Sequence, residues 1–391
     1  MYIIHLGYSG FPSGNATIKR ILLTFKAIKI GGLTPLIIDK HSIHRIEKAT
    51  RVNRYQGISY VYTSQIFTRP DLLLIRNLNK LSGYVGEFVL LMKKRKKIRA
   101  AIFYQSSFVE LCYYRILSKL FGFALVVQYV EFRSALPERQ KLFKHINDRL
   151  FDNFSFNLCD GIIVISEYLK NYVESKNKHL PMIKIPAICN FDEFRLKESI
   201  SQSHYLMYCG GILYLSVIEF VLHLYIETQN RKLYTGNLLL AIGGGENEMN
   251  GFKVLKDRIN SSGYKDKINL LIDVKHDELI DLYINSELLI VPLRNTVQDR
   301  AGFHHKVGEY CASRKPIVST NLAEMKFYFI DNESAILASE YSLESYIDRL
   351  SYILTDPNKL KKIGEAGYEV GMNNLNYKNY ASVLVEFLTK I

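Results

Sequence analysis

Apolar residues in this chain fall into short unbroken runs separated by longer stretches of helical period. In the first half the runs are YIIHLG (2–7), TPLIID (34–39), AAIFYQ (100–105), FALVVQYV (123–130) and GIIVIS (161–166). They lack strict alternation, which predicts strands buried on both faces, as in a parallel sheet. Amphipathic segments of helix length lie between them, such as 15–30 and 138–158. After residue 200 the rhythm restarts with YLMYCG (205–210), NLLLAIGGG (237–245), INLLID (268–273), ELLIVP (287–292) and KPIVST (315–320). From about residue 342 three helical stretches follow, with no strand. Strand and helix alternating twice over predicts an α/β chain with two doubly wound parallel-sheet, Rossmann-like domains. Each would carry its ligand edge at the strand carboxyl ends. The expected boundaries are 1–190 for the first domain, 191–204 for a polar linker, 205–370 for the second, and 371–391 for a C-terminal helix packing back on the first.

Composition narrows the class. A chain of 391 residues exceeds one ordinary core, and 48% hydrophobic with 23% charged residues is a globular profile. No uninterrupted apolar run approaches the roughly 18 residues of a membrane span. The opening MYIIHLGYSGF has neither the basic region nor the apolar length of a signal peptide. The five cysteines are scattered and never in C-x-x-C spacing, which predicts no disulfide framework or zinc cluster and fits a reducing cytoplasm.

Charge then separates the halves. Residues 1–200 hold 31 Lys+Arg against 15 Asp+Glu, a balance of +16; residues 201–391 hold 20 against 23, a balance of −3. No zinc-finger, RNP or helix-turn-helix pattern accompanies the basic half, so nucleic acid is not the expected partner. Six of the seven residues in KKRKKIR (93–99) are basic, closing the helix GYVGEFVLLMKKRKK. A solvated helix end would gain about 0.3–1 kcal/mol per cation from the dipole. An anionic membrane surface would gain about 1 kcal/mol per residue. The basic half around it favours the membrane.

Three glycine-rich places follow strands. GYSGFPSGNATIKRI (7–21) sets Gly7, Gly10 and Gly14 before a helix starting near Asn15. Such a loop either cradles phosphate with backbone N–H groups or only makes a tight turn; its spacing fits neither G-x-G-x-x-G nor a Walker loop. YCGGILY (208–214) and AIGGGENEM (241–249) place glycines where backbone can press on a ligand, with Glu246 and Glu248 able to meet hydroxyls or solvent. AGFHHKVGEYCASRKPIVST (301–320) is the most informative stretch. Adjacent His304 and His305 point in different directions and have no third ligand near, which predicts no metal site. Lys306 falls in the first turn of a helix over about 305–313, with Glu309 one turn on. A helix start with a lysine suits a diphosphate, and a neighbouring carboxylate suits sugar hydroxyls.

The stretch LLIVPLRNTVQDRAGFHHKVGEYCASRKPIVSTNLAEMKFYFIDNESAIL resembles the donor-binding segment of GT-B retaining glycosyltransferases of family 4, of the bacterial surface-polysaccharide type. Gly302, Phe303, Glu309 and RKPIV occupy the family's loop, helix and strand positions. GLTPLIID, DGIIVISEYLK (160–170) and DPNKLKKIGEAGYE (356–369) extend the likeness along most of the chain. The resemblance implies a GT-B-like fold, its two domains facing a central cleft, and a nucleotide-sugar substrate with UDP favoured. Glu309, second glutamate of an E-x7-E pair, would hold the ribose. Gly302, Phe303, His304 and His305 would face the diphosphate and sugar, with Lys306 and Val307 at the helix start. Gly210, Gly211, Glu246 and Val274 would complete the donor side, with Gly14 and Asn15 opposing, and Glu131 would lie towards the acceptor. Retention by front-face attack needs no nucleophilic side chain, metal or cofactor, so no residue is assigned as nucleophile.

Three departures stand in the sequence. The first glutamate of the pair falls at Ala301, no basic residue lies between Gly210 and Arg231 to clamp the diphosphate, and His304 and His305 replace smaller residues. Phosphate charge then rests on Lys306, Arg294, Arg300 or Arg314. The expected activity is sugar transfer to a saccharide or lipid-linked acceptor, in capsule or O-antigen assembly, by a cytoplasmic enzyme peripheral to the inner membrane face. The rivals are a non-catalytic GT-B-like binding subunit and a sugar-nucleotide epimerase with His304 or His305 carrying protons.

Overall fold

A computed structural model describes residues 1–12, 14, 16–42, 50–104, 107–135, 142–195, 204–245 and 248–391. The chain divides into two units: Met1–Ile188, Ala301–Phe303 and Tyr377–Ile391 form the first, and Cys189–Arg300 with His304–Asn376 the second.

The first unit runs β1 (Tyr2–Leu6), α1 (Ala16–Ile30), β2 (Thr34–Asp39), β3 (Val52–Tyr55), β4 (Ile58–Tyr62), α2 (Leu73–Lys94), β5 (Ile98–Tyr104), α3 (Phe108–Phe121), β6 (Ala124–Tyr129), α4 (Leu142–Phe154), β7 (Gly161–Val164), α5 (Glu167–Lys176) and β8 (Met182–Lys184). The sheet order is β3-β4-β2-β1-β5-β6-β7-β8, parallel except for the antiparallel β3–β4 edge pair. The apolar runs at 2, 34, 100, 123 and 161 all became strands. β3 and β8 are short and partly exposed, and the mostly buried β4 (ISYVY) has its apolar run broken by Ser59, so none of the three carries a long apolar run.

The second unit runs α6 (Asp192–Arg195), β9 (Tyr205–Gly211), α7 (Leu215–Asn230), β10 (Asn237–Gly243), α8 (Met249–Asn260), β11 (Ile268–Ile272), α9 (His276–Asn285), β12 (Leu288–Val291), α10 (Val297–Ala301), α11 (Lys306–Ala312), β13 (Ile317–Thr320), α12 (Met325–Tyr328), β14 (Ile336–Ala338), α13 (Leu343–Ile353) and α14 (Pro357–Asn374). α15 (Ala381–Lys390) closes the chain. All pairings in the order β11-β10-β9-β12-β13-β14 are parallel. Both units are thus doubly wound α/β domains.

The boundaries differ from the sequence expectation around residues 189–195, at 301–303 and at 371–376. Residues 191–195 are part of the second unit, because Phe191 is buried with its ring 5.7 Å from that of Tyr368. Residues 371–374 complete α14 rather than opening a separate helix, while 377–391 group with the first unit, where α15 packs on α1. The stretch Ile212–Asn230 has 19 residues at mean hydropathy 1.2, long and apolar enough by composition to cross a membrane. The uninterrupted-run criterion missed it because polar residues punctuate it. Val217, Ile218, Val221 and Leu224 of this stretch are buried in the second unit's core.

Right-handed crossovers place α2, α3, α4 and α5 on one face of the first sheet and α1 on the other. What seats α2 is the absence of side chains. A Cβ on Gly83 would collide with the Lys40 carbonyl, and one on Gly86 with the Thr63 carbonyl. Thr63 Oγ1 also donates to the Gly83 carbonyl at 2.8 Å. The inward face of α2 is therefore Asn79, Gly83, Glu87 and Leu91, which are its buried residues. In the second unit α14 rests on α11 the same way, since a Cβ at Gly364 would strike the Arg314 carbonyl and one at Gly371 the Cys311 side chain. Helix α14 starts sharply, with Pro357 in its first turn and Asp356 accepting from the Lys359 N–H at 3.0 Å.

These seats give a direct test. Gly86→Ala and Gly364→Ala should each lower the unfolding free energy by about 1–3 kcal/mol, the usual cost of overpacking. Gly245→Ala, where a Cβ meets nothing within 4 Å, should stay within about 0.5 kcal/mol. Urea denaturation of the three variants measures this; equal midpoints would refute the close seats.

Candidate functional site

In the second unit the chain winds outward from β9 in both directions, to β10 and β11 on one side and to β12, β13 and β14 on the other. The point where strand order reverses lies between β9 and β12, where α/β sheets hold ligands. The β9–β12 ladder pairs Leu206 with Leu288 and Met207 with Leu289. Beyond it, side chains of α11 serve Cys209. Its N–H donates to the Tyr310 hydroxyl at 3.1 Å, and its carbonyl accepts from Lys306 Nζ. Lys306 and Tyr310 are four residues apart and so share a helix face. That spacing was in the sequence, yet Tyr310 was not read as part of the site.

Lys306 thus stands at the switch point beside Gly210 and Gly211, with its ammonium 4.3 Å from the centre of the Tyr208 ring. Burial pushes its pKa down to about 8, while the nearby Cys209, Asp299 and Glu309 act to raise it. Among the described residues Lys306 makes no ion pair. Glu309, one turn on and partly buried, shares the electrostatic surroundings of Lys306, Cys209 and Tyr283. Burial and the Lys306 charge lower the His304 pKa to about 4, so its ring is neutral at pH 7 and lends no positive charge. His305 precedes the first turn and does not cap it.

Several expectations are corrected. Helix α11 has only seven residues, and the Val307 N–H is already donated to the His304 carbonyl at 3.0 Å. Its field at a phosphate is correspondingly small, and Val307 itself is buried. Each of the three arginines has a partner of its own. Arg294 binds Asp299 through two side-chain bonds of 3.0 and 3.1 Å and a backbone bond of 2.7 Å. Asp299 accordingly raises the Arg294 pKa. Arg300 Nε donates to Asn295 at 2.8 Å. Arg314 pairs with Glu365 at the far end of α11, its guanidinium 3.6 Å from the Tyr368 ring centre. Of the four cations proposed from sequence, Lys306 is the one bonded to β9 at the switch point.

The glycine loops are likewise satisfied from within. Gly244 N–H donates to Asp273 at 2.9 Å, and Gly245 N–H to Glu248 at 3.0 Å, so Glu248 serves the backbone. Val274 follows Asp273 at the end of β11, partly buried and two strands from the switch point. In the first unit Gly10 and Phe11 N–H groups donate to the buried Asp39 at 2.8 and 3.0 Å. Burial lifts the Asp39 pKa to about 6, against the pull of these bonds. Gly14 is exposed, whereas Asn15 and Glu246 lie outside the described residues. Glu131 pairs with Arg133 at 3.3 Å. Ala301, Gly302 and Phe303 group with the first unit, where the fully buried Ala301 accepts from Ser166 Oγ at 2.6 Å. The structure therefore gathers Gly210, Gly211, His304, Lys306 and Glu309. Among the described residues, no three His, Cys, Asp or Glu side chains form a metal-binding set.

Residues 219–370 match the family Glycosyl transferases group 1. No curated protein matches the sequence. Among solved structures the chain is similar to sucrose-phosphate synthase from Thermosynechococcus elongatus, with TM-score 0.76 and 14% identity over 100% of this chain and 98% of that one. It is similar to HepE from Anabaena in complex with UDP, with TM-score 0.70 and 14% identity over 100% of both chains. A glycosyltransferase from Rickettsia africae has TM-score 0.70 and 13% identity over 100% of this chain and 98% of that one. The fold is GT-B-like.

A pH test follows from Lys306. Its folded pKa of about 8 lies below the ordinary 10.5, so between these values the unfolded chain binds more protons. Stability contributed by this group rises with pH in that window. The urea midpoint of the wild type should gain on that of Lys306→Met as pH climbs through about 8; a falling difference would refute the buried cation.

Proposed function

We propose that this chain, a glycosyltransferase with a group 1 domain on a GT-B fold, retains anomeric configuration while moving a sugar from a nucleoside-diphosphate donor to a lipid-linked saccharide. Lys306 carries the reading: a partly buried ammonium at the strand-order switch point, beside the Gly210–Gly211 backbone. There it meets the diphosphate and stabilises its charge as the sugar leaves. Glu309 accepts hydrogen bonds from ribose hydroxyls, and the neutral His304 hydrogen-bonds the sugar or phosphate. Attack comes from the leaving-group face, with the departing diphosphate taking the acceptor proton, so the step calls for no metal or cofactor. UDP is the favoured nucleotide; HepE structures with UDP and with UDP-glucose support it.

The setting proposed is capsule or O-antigen assembly, in the cytoplasm, peripheral to an anionic inner membrane face. Lys93, Arg95, Lys96 and Lys97 are exposed at the end of α2. Lys94 lies 5.0 Å from the Tyr2 ring centre, and Arg99 is bound to the Thr389 and Ile391 carbonyls. Four cations thus remain for lipid headgroups. A non-catalytic binding subunit is favoured by one observation, the internal satisfaction of Arg294 by Asp299; turnover of any donor decides against it.

Thermal shift against UDP, GDP, ADP and TDP tests the donor. A ligand at 100 times its dissociation constant adds about 2.7 kcal/mol, and UDP should stand out. Glu309→Gln should weaken uridine and UDP alike by about tenfold or more, while Lys306→Ala should weaken UDP more than uridine. Absence of any shift at millimolar nucleotide would favour the binding subunit.

Vesicle binding tests the setting. Affinity for anionic vesicles should fall steeply with salt, since exposed charges are screened beyond about 8 Å at physiological strength. Serine at Lys93, Arg95, Lys96 and Lys97 should reduce it without unfolding the protein. Equal affinity for neutral vesicles would count against the basic patch.

A further inference from the structure

Helix α2 is inside out. Its buried face is Asn79, Gly83, Glu87 and Leu91, while Leu74, Leu78, Leu81, Val85, Phe88 and Met92 recur three or four residues apart and are exposed. A stripe with that spacing ordinarily faces a core. Helix α4 repeats the inversion. Asp148 and Asp152 are fully buried, whereas Phe143, Ile146, Leu150 and Phe154 are exposed, Phe143 at 87%. Between them α3 exposes Ile116 at 66% and Leu120 at 58%.

The three helices lie side by side on one face of the first sheet. Tyr84 of α2 meets Tyr113 of α3 edge-on at 5.5 Å, and Asn147 of α4 accepts from the Phe108 N–H of α3 at 3.0 Å. Their exposed apolar residues therefore form one broad surface, wider than the narrow seam a single partner helix would need. Large apolar patches on a protein surface mark interaction sites.

Charge identifies the partner. Every acidic residue within the three helices is turned inward. Glu87 is fully buried and bound by the Tyr114 hydroxyl at 3.1 Å, Glu110 pairs with Lys40, and Asp152 is bound by the Tyr129 hydroxyl at 2.9 Å. Asp148 is also fully buried. The charged residues left exposed on these helices are Lys80, Lys93, Lys119, Lys144 and Arg149, all cationic. An apolar surface whose exposed charges on these three helices are all cationic is complementary to an anionic bilayer.

We propose that the outer faces of α2, α3 and α4 dock this domain on an anionic bilayer, with the apolar side chains entering the boundary between headgroups and acyl chains. This deepens the membrane reading above and rests on it. The cations at 93–97 then supply attraction at one end of α2, and the apolar stripes supply insertion along its length. Helices α2, α3 and α4 each begin at the carboxyl edge of a parallel sheet and run back to its amino edge. Leu74, Val109 and Phe143 therefore bring apolar exposure close to the ligand edge, where a lipid-linked substrate would have to arrive.

The chain has no tryptophan, so a single introduced one reports its own surroundings. Phe143→Trp and Leu81→Trp, each alone, are titrated with phosphatidylglycerol vesicles whose acyl chains are brominated. Phe327→Trp, at a 55% exposed position in the second unit, is the control. Emission of the first two should shift to the blue and be quenched, and that of the control should not. Leu74→Ser combined with Phe143→Ser should weaken vesicle binding about tenfold or more, with no loss in melting temperature. Co-sedimentation of the wild type, with emission unchanged in both the Phe143→Trp and the Leu81→Trp variants, would overturn insertion and leave charge-only docking. Failure of the wild type to bind vesicles would overturn both membrane statements. A dimer that disappears in the serine variant would overturn the bilayer in favour of a second copy. UDP thermal shifts on the same variants follow the donor reading separately.

Discussion

Two helices in this protein sit where they do because carbons are missing from them. Gly83 and Gly86 let α2 settle onto the carbonyls of Lys40 and Thr63, and Gly364 and Gly371 let α14 settle onto the end and side of α11. A β-carbon at any of these points occupies space already filled by backbone or a buried side chain. In the second unit the consequence is a fixed α11, the helix that carries Lys306, Glu309 and Tyr310. In the first it decides which face of α2 is turned to the sheet and which to solvent.

With α11 held, the site follows from the hydrogen bonds made to β9. At Cys209 both backbone groups are met by side chains of α11, by a tyrosine hydroxyl and a lysine ammonium. That arrangement keeps a cation at the switch point with no ion pair among the described residues, and burial depresses its pKa. Elsewhere in the unit the opposite holds. Arg294 is closed by Asp299 and the Gly244–Gly245 backbone by Asp273 and Glu248.

The same partitioning of charge runs through the first unit in reverse. Carboxylates at Asp39, Glu87, Asp148 and Asp152 are buried, and their partners are backbone N–H groups and tyrosine hydroxyls where those bonds are resolved. Burial lifts Glu87 to about 7 and Asp39 to about 6. On α2, α3 and α4, tucking acids inward leaves cations and apolar side chains outside, so the exposed charges of these three helices share one sign.

Sequence alone determined the strands with long apolar runs and the twofold α/β rhythm, because unbroken hydrophobicity and turn residues are local signals. It could place Lys306 and Glu309 on one short helix, since their spacing is fixed by helix geometry. Tertiary structure decided what those signals face. The stripe from Leu74 to Met92 reads as core by period, yet it points outward because the glycine face of α2 packs more closely than leucine would permit. Arg294, Arg300 and Arg314 are interchangeable cations in sequence, and only folding brings each of them its own partner. The N–H groups of the glycine loops look free for phosphate until Asp39, Asp273 and Glu248 arrive from distant or neighbouring turns. Each is a competition among long-range contacts, which a one-dimensional pattern does not encode.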